Sequence, residues 1–176
     1  MRIDYLKPYD ILLYKGKDFM SWLVEVGTES SYSHVAVVVD PEIYLAIESN
    51  TGHQAGVRAL DLSKSNDEEI DVFRVKSEFT FNGKKVISFL IGCLGAGYDY
   101  LGVGWLGVLK FTSLLTGFHF KPYNQFQKDK DYFCSELVYQ AFTTGGLDIV
   151  PQIEEADITS PGDIARSNCV AKVQVP

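Results

Sequence analysis

The stretch SHVAVVVDPEIYLAIES, residues 33–49, contains two apolar runs separated by Asp40-Pro41-Glu42. Runs rich in β-branched residues on either side of a proline-containing turn are typical of two strands joined by a short connection. The stretch therefore predicts an antiparallel hairpin with strands over Ser33–Val39 and Ile43–Ser49.

The register of this hairpin decides which side chains meet. If the loop has three residues, His34 lies directly opposite Glu48, and opposed residues of an antiparallel pair point to the same face. Glu48 could then hold the imidazole by a hydrogen bond. A shift of one residue would place Ser49 opposite His34 and leave Glu48 on the diagonal, with Asn50 as the alternative residue to orient the ring.

The rest of the chain predicts further strands and a few helices. Strands are expected over Tyr9–Tyr14, Gly56–Leu62 and Ile70–Val75, and helices over Phe19–Val26, Gly83–Leu94 and Phe133–Phe142. Gly95 and Gly145-Gly146 are suited to end the last two helices, and Ser160-Pro161 predicts the start of another. Together they predict an α+β fold, an antiparallel sheet packed against helices, in a single domain over residues 1–176.

Composition restricts the class of protein. A chain of 176 residues with 46% hydrophobic and 22% charged residues can build one real core. The net charge of −7 argues against a nucleic-acid partner. Three scattered cysteines and the absence of metal-ligand spacings lead us to expect no metal and no other cofactor.

The N-terminus bears on localisation. Its charge is not followed by an apolar run, so no signal peptide is expected, and free cysteines favour a reducing, cytoplasmic compartment. An upstream signal removed from this chain would instead allow an exported form.

The passage Leu101–Phe120 is largely apolar and about as long as a bilayer-spanning helix. Because Lys110 and His119 interrupt it, we expect a buried or interfacial segment. Its large aromatic residues predict one wall of a substrate cleft, or a peripheral membrane or lipid contact through residues 101–123. Packing as extra core on the far side of the helices is the alternative.

The string YFCSELV, residues 132–138, predicts the first turn of a helix carrying Cys134. Unpaired N–H groups and the helix dipole favour the thiolate there, and a histidine on a neighbouring strand could act as its base. Each residue also has a plainer interpretation. His34 could be a satisfied histidine at a strand end, and Cys134 could be a buried thiol, as Cys93 and Cys169 are expected to be.

Taken in order, these strings resemble the circularly permuted NlpC/P60 group of papain-like cysteine hydrolases, in particular its YiiX-like branch. The matching residues are Ser33-His34-Val35, Ile47-Glu48, Gly95–Asp99 and Tyr132–Val138, with weaker matches at Tyr9–Leu13 and Ser160–Ile164. The resemblance covers nearly the whole chain and implies a permuted papain-like fold.

The resemblance also implies a bacterial thiol peptidase or amidase that cleaves a peptide or amino-acid-containing substrate through an acyl-enzyme. It implies that Cys134 is the nucleophile, His34 the base and Glu48 the residue that orients the imidazole. Contacts to the substrate or its oxyanion are predicted for Tyr98, Ser33 and Tyr132.

Two other functions fit the same residues. The permuted fold also resembles lecithin:retinol acyltransferase-like enzymes, lipid acyltransferases or phospholipases whose thiol takes an acyl chain from a phospholipid. The apolar passage 101–120 would suit such a chain. The third interpretation is a non-catalytic binding module, against which the intact Cys134, His34 and Glu48 argue.

Overall fold

The structure is a computed structural model that describes residues 3–15, 30–51, 55–64, 70–97, 132–152 and 159–174. Three expectations lie outside these residues: the helix over Phe19–Val26, the position of Tyr98 and the cleft wall over 101–123. They stay predictions.

The described strands form one antiparallel sheet, and they are β1 (Ile11–Tyr14), β2 (His34–Asp40), β3 (Leu45–Asn50), β4 (Gly56–Asp61), β5 (Ile70–Val75) and β6 (Val170–Lys172). Their order across the sheet is β4-β3-β2-β1-β5-β6. Five of them correspond to predicted strands. The sixth was not predicted, because its three residues are too few to show an alternating pattern.

The described α-helices are α1 (Gly83–Gly92), α2 (Cys134–Thr144) and α3 (Pro161–Arg166). The start of α3 is a capping box between Ser160 and Asp163, with proline in the first turn as predicted. After α2, Gly146 adopts a φ of 88°, which a residue with a side chain rarely adopts. None of these described helices is long and apolar enough to cross a membrane.

Alternation along the strands divides the core between the two faces of the sheet. The helix-facing side includes the sheet residues Ile11, Leu13, Val35, Val37 and Ile47 together with Leu90, Leu137, Phe142 and Ile164 from the helices. The other face is also buried and includes Leu12, Ala36, Val38, Ala46 and Val72. The α+β class, with a sheet packed against helices, is confirmed.

Packing against the sheet fixes the start of α2. Leu137, Val138 and Phe142 are at most 1% exposed, and α2 contacts both β2 and β3. Burying each of these side chains is worth about 1.5–3 kcal/mol, so the helix is held firmly in place. Its first residue, Cys134, is therefore positioned by packing further along the helix.

The pairing of β2 with β3 differs from the predicted register by two residues. Glu48 lies opposite Ala36, not His34, because the turn covers residues 41–44 and an irregularity falls between Val38 and Asp40. A shift of two residues leaves every side chain on its original face, since strand side chains alternate with period two. His34 and Glu48 thus share a face as diagonal neighbours.

The turn after α1 connects the outer strand to the segment before α2. Val57 exchanges two backbone hydrogen bonds with it, one donated to the carbonyl of Ala96 and one accepted from Gly95, each 2.9 Å long. The Tyr132 N–H donates to the carbonyl of Gly97 over 3.1 Å. The turn thereby holds the start of β4 and the entry to α2 together.

Candidate active site

Cys134 begins α2 and is 7% exposed. The N-cap residue, Phe133, has an extended backbone and gives no side-chain cap in the described structure. N–H groups at the start of a helix, together with the helix dipole, favour negative charge nearby.

His34 is the first residue of β2, so its imidazole lies at the end of the sheet, where a side chain from the helix layer can reach it. The ring is one-fifth exposed, and its Nε2 atom lies 2.7 Å from Oε2 of Glu48. The side chain of Cys134 lies close enough to the imidazole to raise the pKa of His34. Since Nε2 faces Glu48, Nδ1 is the nitrogen left for the sulfur.

The protonation of His34 follows from these two contacts. Burial alone would lower the pKa of His34, but hydrogen bonds and negative charge from Cys134 and Glu48 raise it to about 10. The imidazole is therefore an imidazolium at neutral pH, paired with the Glu48 carboxylate.

Glu48 is a buried carboxylate with a complete set of partners. Its Oε2 faces His34, while Oε1 accepts from Nε of Arg58 at 2.9 Å and from Nδ2 of Asn50 at 3.1 Å. Burial would raise the pKa of Glu48, but the hydrogen bond and charge of His34, with the bonds from Arg58 and Asn50, lower it to about 2. Glu48 therefore stays ionised over the whole physiological range.

Arg58 was not found by sequence reasoning. It lies on β4 directly opposite Glu48, so the two side chains share a face. The sequence does place an arginine within the predicted strand that follows the one carrying Glu48. Pairing that arginine with Glu48, however, requires the register of β3 on β4. Asn50, named as the alternative residue to orient the imidazole, contacts Glu48.

Ser33 precedes His34 and bonds to the neighbouring strand. Its N–H and its hydroxyl both donate to the carbonyl of Tyr14, at 2.9 and 3.4 Å. The ring of Tyr14 lies 5.3 Å from that of His34, centroid to centroid. Ser33 thus helps to fix the end of β2, and its contact with substrate stays a prediction.

Tyr132 connects the entry of α2 to its surroundings. Its carbonyl accepts a 2.5 Å hydrogen bond from the Ser49 hydroxyl, and its ring lies edge-on to Phe89 of α1 at 6.2 Å. Burial, followed by the negative charge and hydrogen bond of Cys93, raises the pKa of Tyr132 to about 12. The Tyr132 side chain is therefore engaged by α1, and its predicted contact with substrate or oxyanion is untested.

The other two cysteines have ordinary surroundings. All three cysteines are free, and Cys169 is buried, with its Sγ bonding the carbonyl of Asp148 at 3.5 Å. Cys93 is partly buried at the C-terminus of α1, and burial raises the pKa of its thiol. Of the three, Cys134 is the one that begins a helix and contacts a histidine.

Comparisons with known proteins identify the fold. No family model matches the chain, and no curated protein does. The structure is similar to the crystal structure of the metalloprotein YiiX from Escherichia coli O157:H7, DUF1105, with a TM-score of 0.66 over 96% of each chain and 15% sequence identity. A similarity at this level of identity shows a YiiX-like fold.

That neighbour is described as a metalloprotein, which raises the question of a metal site in this chain. Within the described ranges, no three histidine, cysteine, aspartate or glutamate side chains gather in a suitable group. Both oxygens of Glu48 already accept hydrogen bonds from His34, Arg58 and Asn50. The described residues therefore do not fit a metal centre.

Proposed function

We propose that the protein is a cysteine hydrolase, a peptidase or amidase of the permuted papain-like NlpC/P60 type. The observation that carries the proposal is the position of the His34 imidazole, which hydrogen-bonds Glu48 and is also influenced by Cys134, the first residue of a helix. This arrangement contains a nucleophile, a base and a group that orients the base.

In the first half-reaction, the Cys134 thiolate attacks the carbonyl carbon of the scissile amide and forms a C–S bond. The Cys134 N–H, with the Tyr98 hydroxyl, would stabilise the oxyanion, a contribution worth about 10²–10³-fold per donor. The His34 imidazolium then gives its Nδ1 proton to the leaving nitrogen as the C–N bond breaks. The products are a free amine and a thioester on Cys134.

In the second half-reaction, His34 is neutral and takes a proton from water. The resulting hydroxide attacks the thioester carbonyl, and the C–S bond breaks to release a carboxylic acid. The thiolate and the imidazolium are thereby restored. General acid–base steps of this kind contribute about 10²–10⁴-fold, so both half-reactions depend on the orientation of His34.

The proposed substrate is a peptide or another amide that contains an amino acid, such as a bacterial cell-wall peptide. Hydrolysis of such peptides should be measured with the unmodified protein and with Cys134→Ala, which should be inactive. The matched control is Cys169→Ala, whose thiol bonds only a backbone carbonyl among the described contacts. Equal activity in both variants would rule out Cys134 as the nucleophile.

A second experiment tests the thiol without any substrate. Iodoacetamide below neutral pH should alkylate Cys134 well before Cys93 or Cys169, as mapped by mass spectrometry. His34→Ala should slow the labelling of Cys134, because it removes the cationic partner of the thiolate. Labelling of all three cysteines at one rate, and only at high pH, would favour a binding module or a plain core thiol.

Lipid acyl transfer is the second proposal, and it rests on the apolar sequence 101–120. Co-sedimentation with phosphatidylcholine vesicles, with and without that passage, tests it. Trp105 fluorescence in Cys134→Ala, with Trp22 replaced, should also change on binding a substrate or inhibitor if the passage forms a cleft wall. Vesicle binding that is lost with the passage, together with acyl transfer, would favour a lipid substrate over a peptide.

A further inference from the structure

Arg58 is the residue that completes the surroundings of Glu48, and the proposed chemistry assigns it no role. We propose that Arg58 is a positioning residue that holds the Glu48 carboxylate in place and ionised, so that His34 can release and recover its proton. The inference rests on the proposed function, because it concerns the proton steps of the same site.

The geometry divides the two carboxylate oxygens between different partners. Nε and Nη2 of Arg58 lie 2.9 and 2.8 Å from Oε1, and Nδ2 of Asn50 lies 3.1 Å from the same oxygen. Oε2 is left to His34, at 2.7 Å. The terminal torsion of a glutamate is normally broad, and donors on both oxygens remove that freedom. The oxygen facing His34 is thereby fixed in direction.

The charges explain why an arginine is suited to this position. The Glu48 side chain is 3% exposed, so its negative charge needs a permanent partner. His34 is a cation only while it keeps its proton, and it loses that proton to the leaving amine. An arginine guanidinium is a permanent cation, so a Glu48 paired with it remains neutralised when the imidazole is neutral. Without Arg58, the buried carboxylate would hold the imidazolium proton more tightly.

This predicts how the titration of His34 depends on Arg58. Among the described residues, the groups that face the imidazole are Cys134 from α2, Glu48 from β3 and the ring of Tyr14 from β1. Removing the cation of Arg58 leaves the charge of Glu48 undivided, so the pKa of His34 should rise. A rise of about one pH unit would reduce the neutral fraction of His34 about tenfold at a pH below its pKa.

The sheet contains a matched control for a purely structural role. Arg74 makes a similar pair with the buried Asp10, with Nε to Oδ1 and Nη2 to Oδ2 distances of 2.6 and 2.7 Å. The arginines have nearly equal side-chain exposure, 31% for Arg58 and 32% for Arg74. Asp10 makes no contact with His34 among the described interactions, so Arg74→Gln should disturb stability alone.

The experiment compares Arg58→Gln, Arg58→Lys and Arg74→Gln in the full chain. NMR of the imidazole gives the titration of His34, and p-nitrophenyl acetate, as an acyl donor, gives the rate of deacylation of Cys134. We expect Arg58→Gln to raise the His34 titration by about one pH unit and to slow deacylation about tenfold at neutral pH. Arg74→Gln should match the unmodified protein in both measurements.

The conservative variant separates charge from geometry. Arg58→Lys keeps the cation and should leave the titration of His34 near that of the unmodified protein, with a deacylation rate between those of the parent and Arg58→Gln. Arg58→Lys also allows the proposal to be tested if Arg58→Gln does not fold. An unchanged titration and deacylation rate in Arg58→Gln, or the full loss in Arg58→Lys with no change in titration, would overturn the proposal.

The two proposals can fail separately. If the unmodified protein hydrolyses no amide, the function proposed above fails. The His34 titration still measures the effect of Arg58, because it needs no substrate. If amides are hydrolysed but Arg58→Gln behaves like Arg74→Gln, the role of Arg58 alone is wrong.

Discussion

Glu48 with Arg58 and Asp10 with Arg74 are two ion pairs on one sheet, and each joins a buried carboxylate to a partly exposed arginine. What distinguishes them is the remaining partner of the carboxylate. Glu48 gives its second oxygen to His34, a side chain that gains and loses a proton.

The remaining hydrogen-bond partner of the Asp10 carboxylate is a backbone group, which does not titrate. Its Oδ2 also accepts from the backbone N–H of Lys7 at 2.8 Å, and Arg74 donates on to the carbonyl of Tyr5 at 2.9 Å. These bonds tie the N-terminal segment to β5. Backbone groups therefore complete the Asp10–Arg74 pair, whereas a histidine completes the Glu48–Arg58 pair, and this difference is what the proposed function requires.

The largest effect should come from Glu48→Gln. This change removes the charge that His34 and Arg58 share and leaves two cations without their anion, so we expect amide hydrolysis to fall at least ~10²-fold. Asp10→Asn is the control, and its folded fraction should alkylate Cys134 at the rate of the unmodified protein. Activity of Glu48→Gln within a few-fold of the parent would mean that Glu48 does not orient the imidazole.

Asp10→Asn should mainly reduce stability. Breaking a buried ion pair leaves an uncompensated charge, and because Arg74 is about one-third exposed, we expect a loss of about 2–4 kcal/mol. Urea unfolding followed by circular dichroism measures it. A loss below about 1 kcal/mol would show that water replaces the carboxylate as the partner of Arg74.

Stability should also depend on pH through His34 and Glu48. The pKa of His34 is raised from 6.5 to about 10, so its contribution is complete below pH 6.5 and is lost as pH rises toward 10. The pKa of Glu48 is lowered from 4.5 to about 2, so its contribution is complete above pH 4.5 and is lost as pH falls toward 2.

The urea midpoint at pH 6, 8 and 10 tests the alkaline window. His34→Gln should flatten the decline between pH 6.5 and 10, whereas Asp10→Asn should keep it. The same decline in all three proteins would show that other groups cause it.

The smallest effect is expected at a third carboxylate, Asp71, which binds two exposed lysines. Lys172 is 52% exposed and lies 2.8 Å from Asp71, and Lys15 and the Tyr32 hydroxyl bond the same oxygen at 2.9 and 2.6 Å. Lys172→Ala should therefore cost less than about 1 kcal/mol in urea unfolding. A loss as large as that of Asp10→Asn would contradict the distinction between buried and exposed partners.

Much of the fold could be predicted, because the secondary structure follows from local sequence patterns. Alternation gave five strands, Gly145 gave the end of α2, and Ser160-Pro161 gave the start of α3. The helix carrying Cys134 was displaced by one residue at its start, and α1 ends at Gly92, two residues before the predicted Leu94. The partnership of His34 with Glu48 was also predictable, since it needs only their shared face. The face on which each side chain lies depends only on whether the connection between the strands has an odd or an even number of residues. An error of two residues in its length therefore leaves His34 and Glu48 on the same face.

The rest depended on distances that local patterns do not contain. The register of β2 on β3 was wrong because the turn over 41–44 and the irregularity beside Asp40 both lengthen the connection. Arg58 could not be assigned to Glu48 without the pairing of β3 and β4. The sixth strand, β6, is a short segment far from β5 in sequence, and it is a strand because it pairs with the edge of β5.

The hydrogen bond from Ser49 to the Tyr132 carbonyl also bears on how the protein folds. It joins residues 83 positions apart, whereas His34 and Glu48 are 14 apart on one hairpin. Closing a long loop costs more entropy and delays contact formation, so the hairpin can assemble before the helix that carries Cys134 docks. A newly made chain would then hold its imidazole and carboxylate ready while its thiol is still inert. Docking of one helix would bring the thiol to them, so under the proposed function Cys134 would become reactive only when the fold is nearly complete.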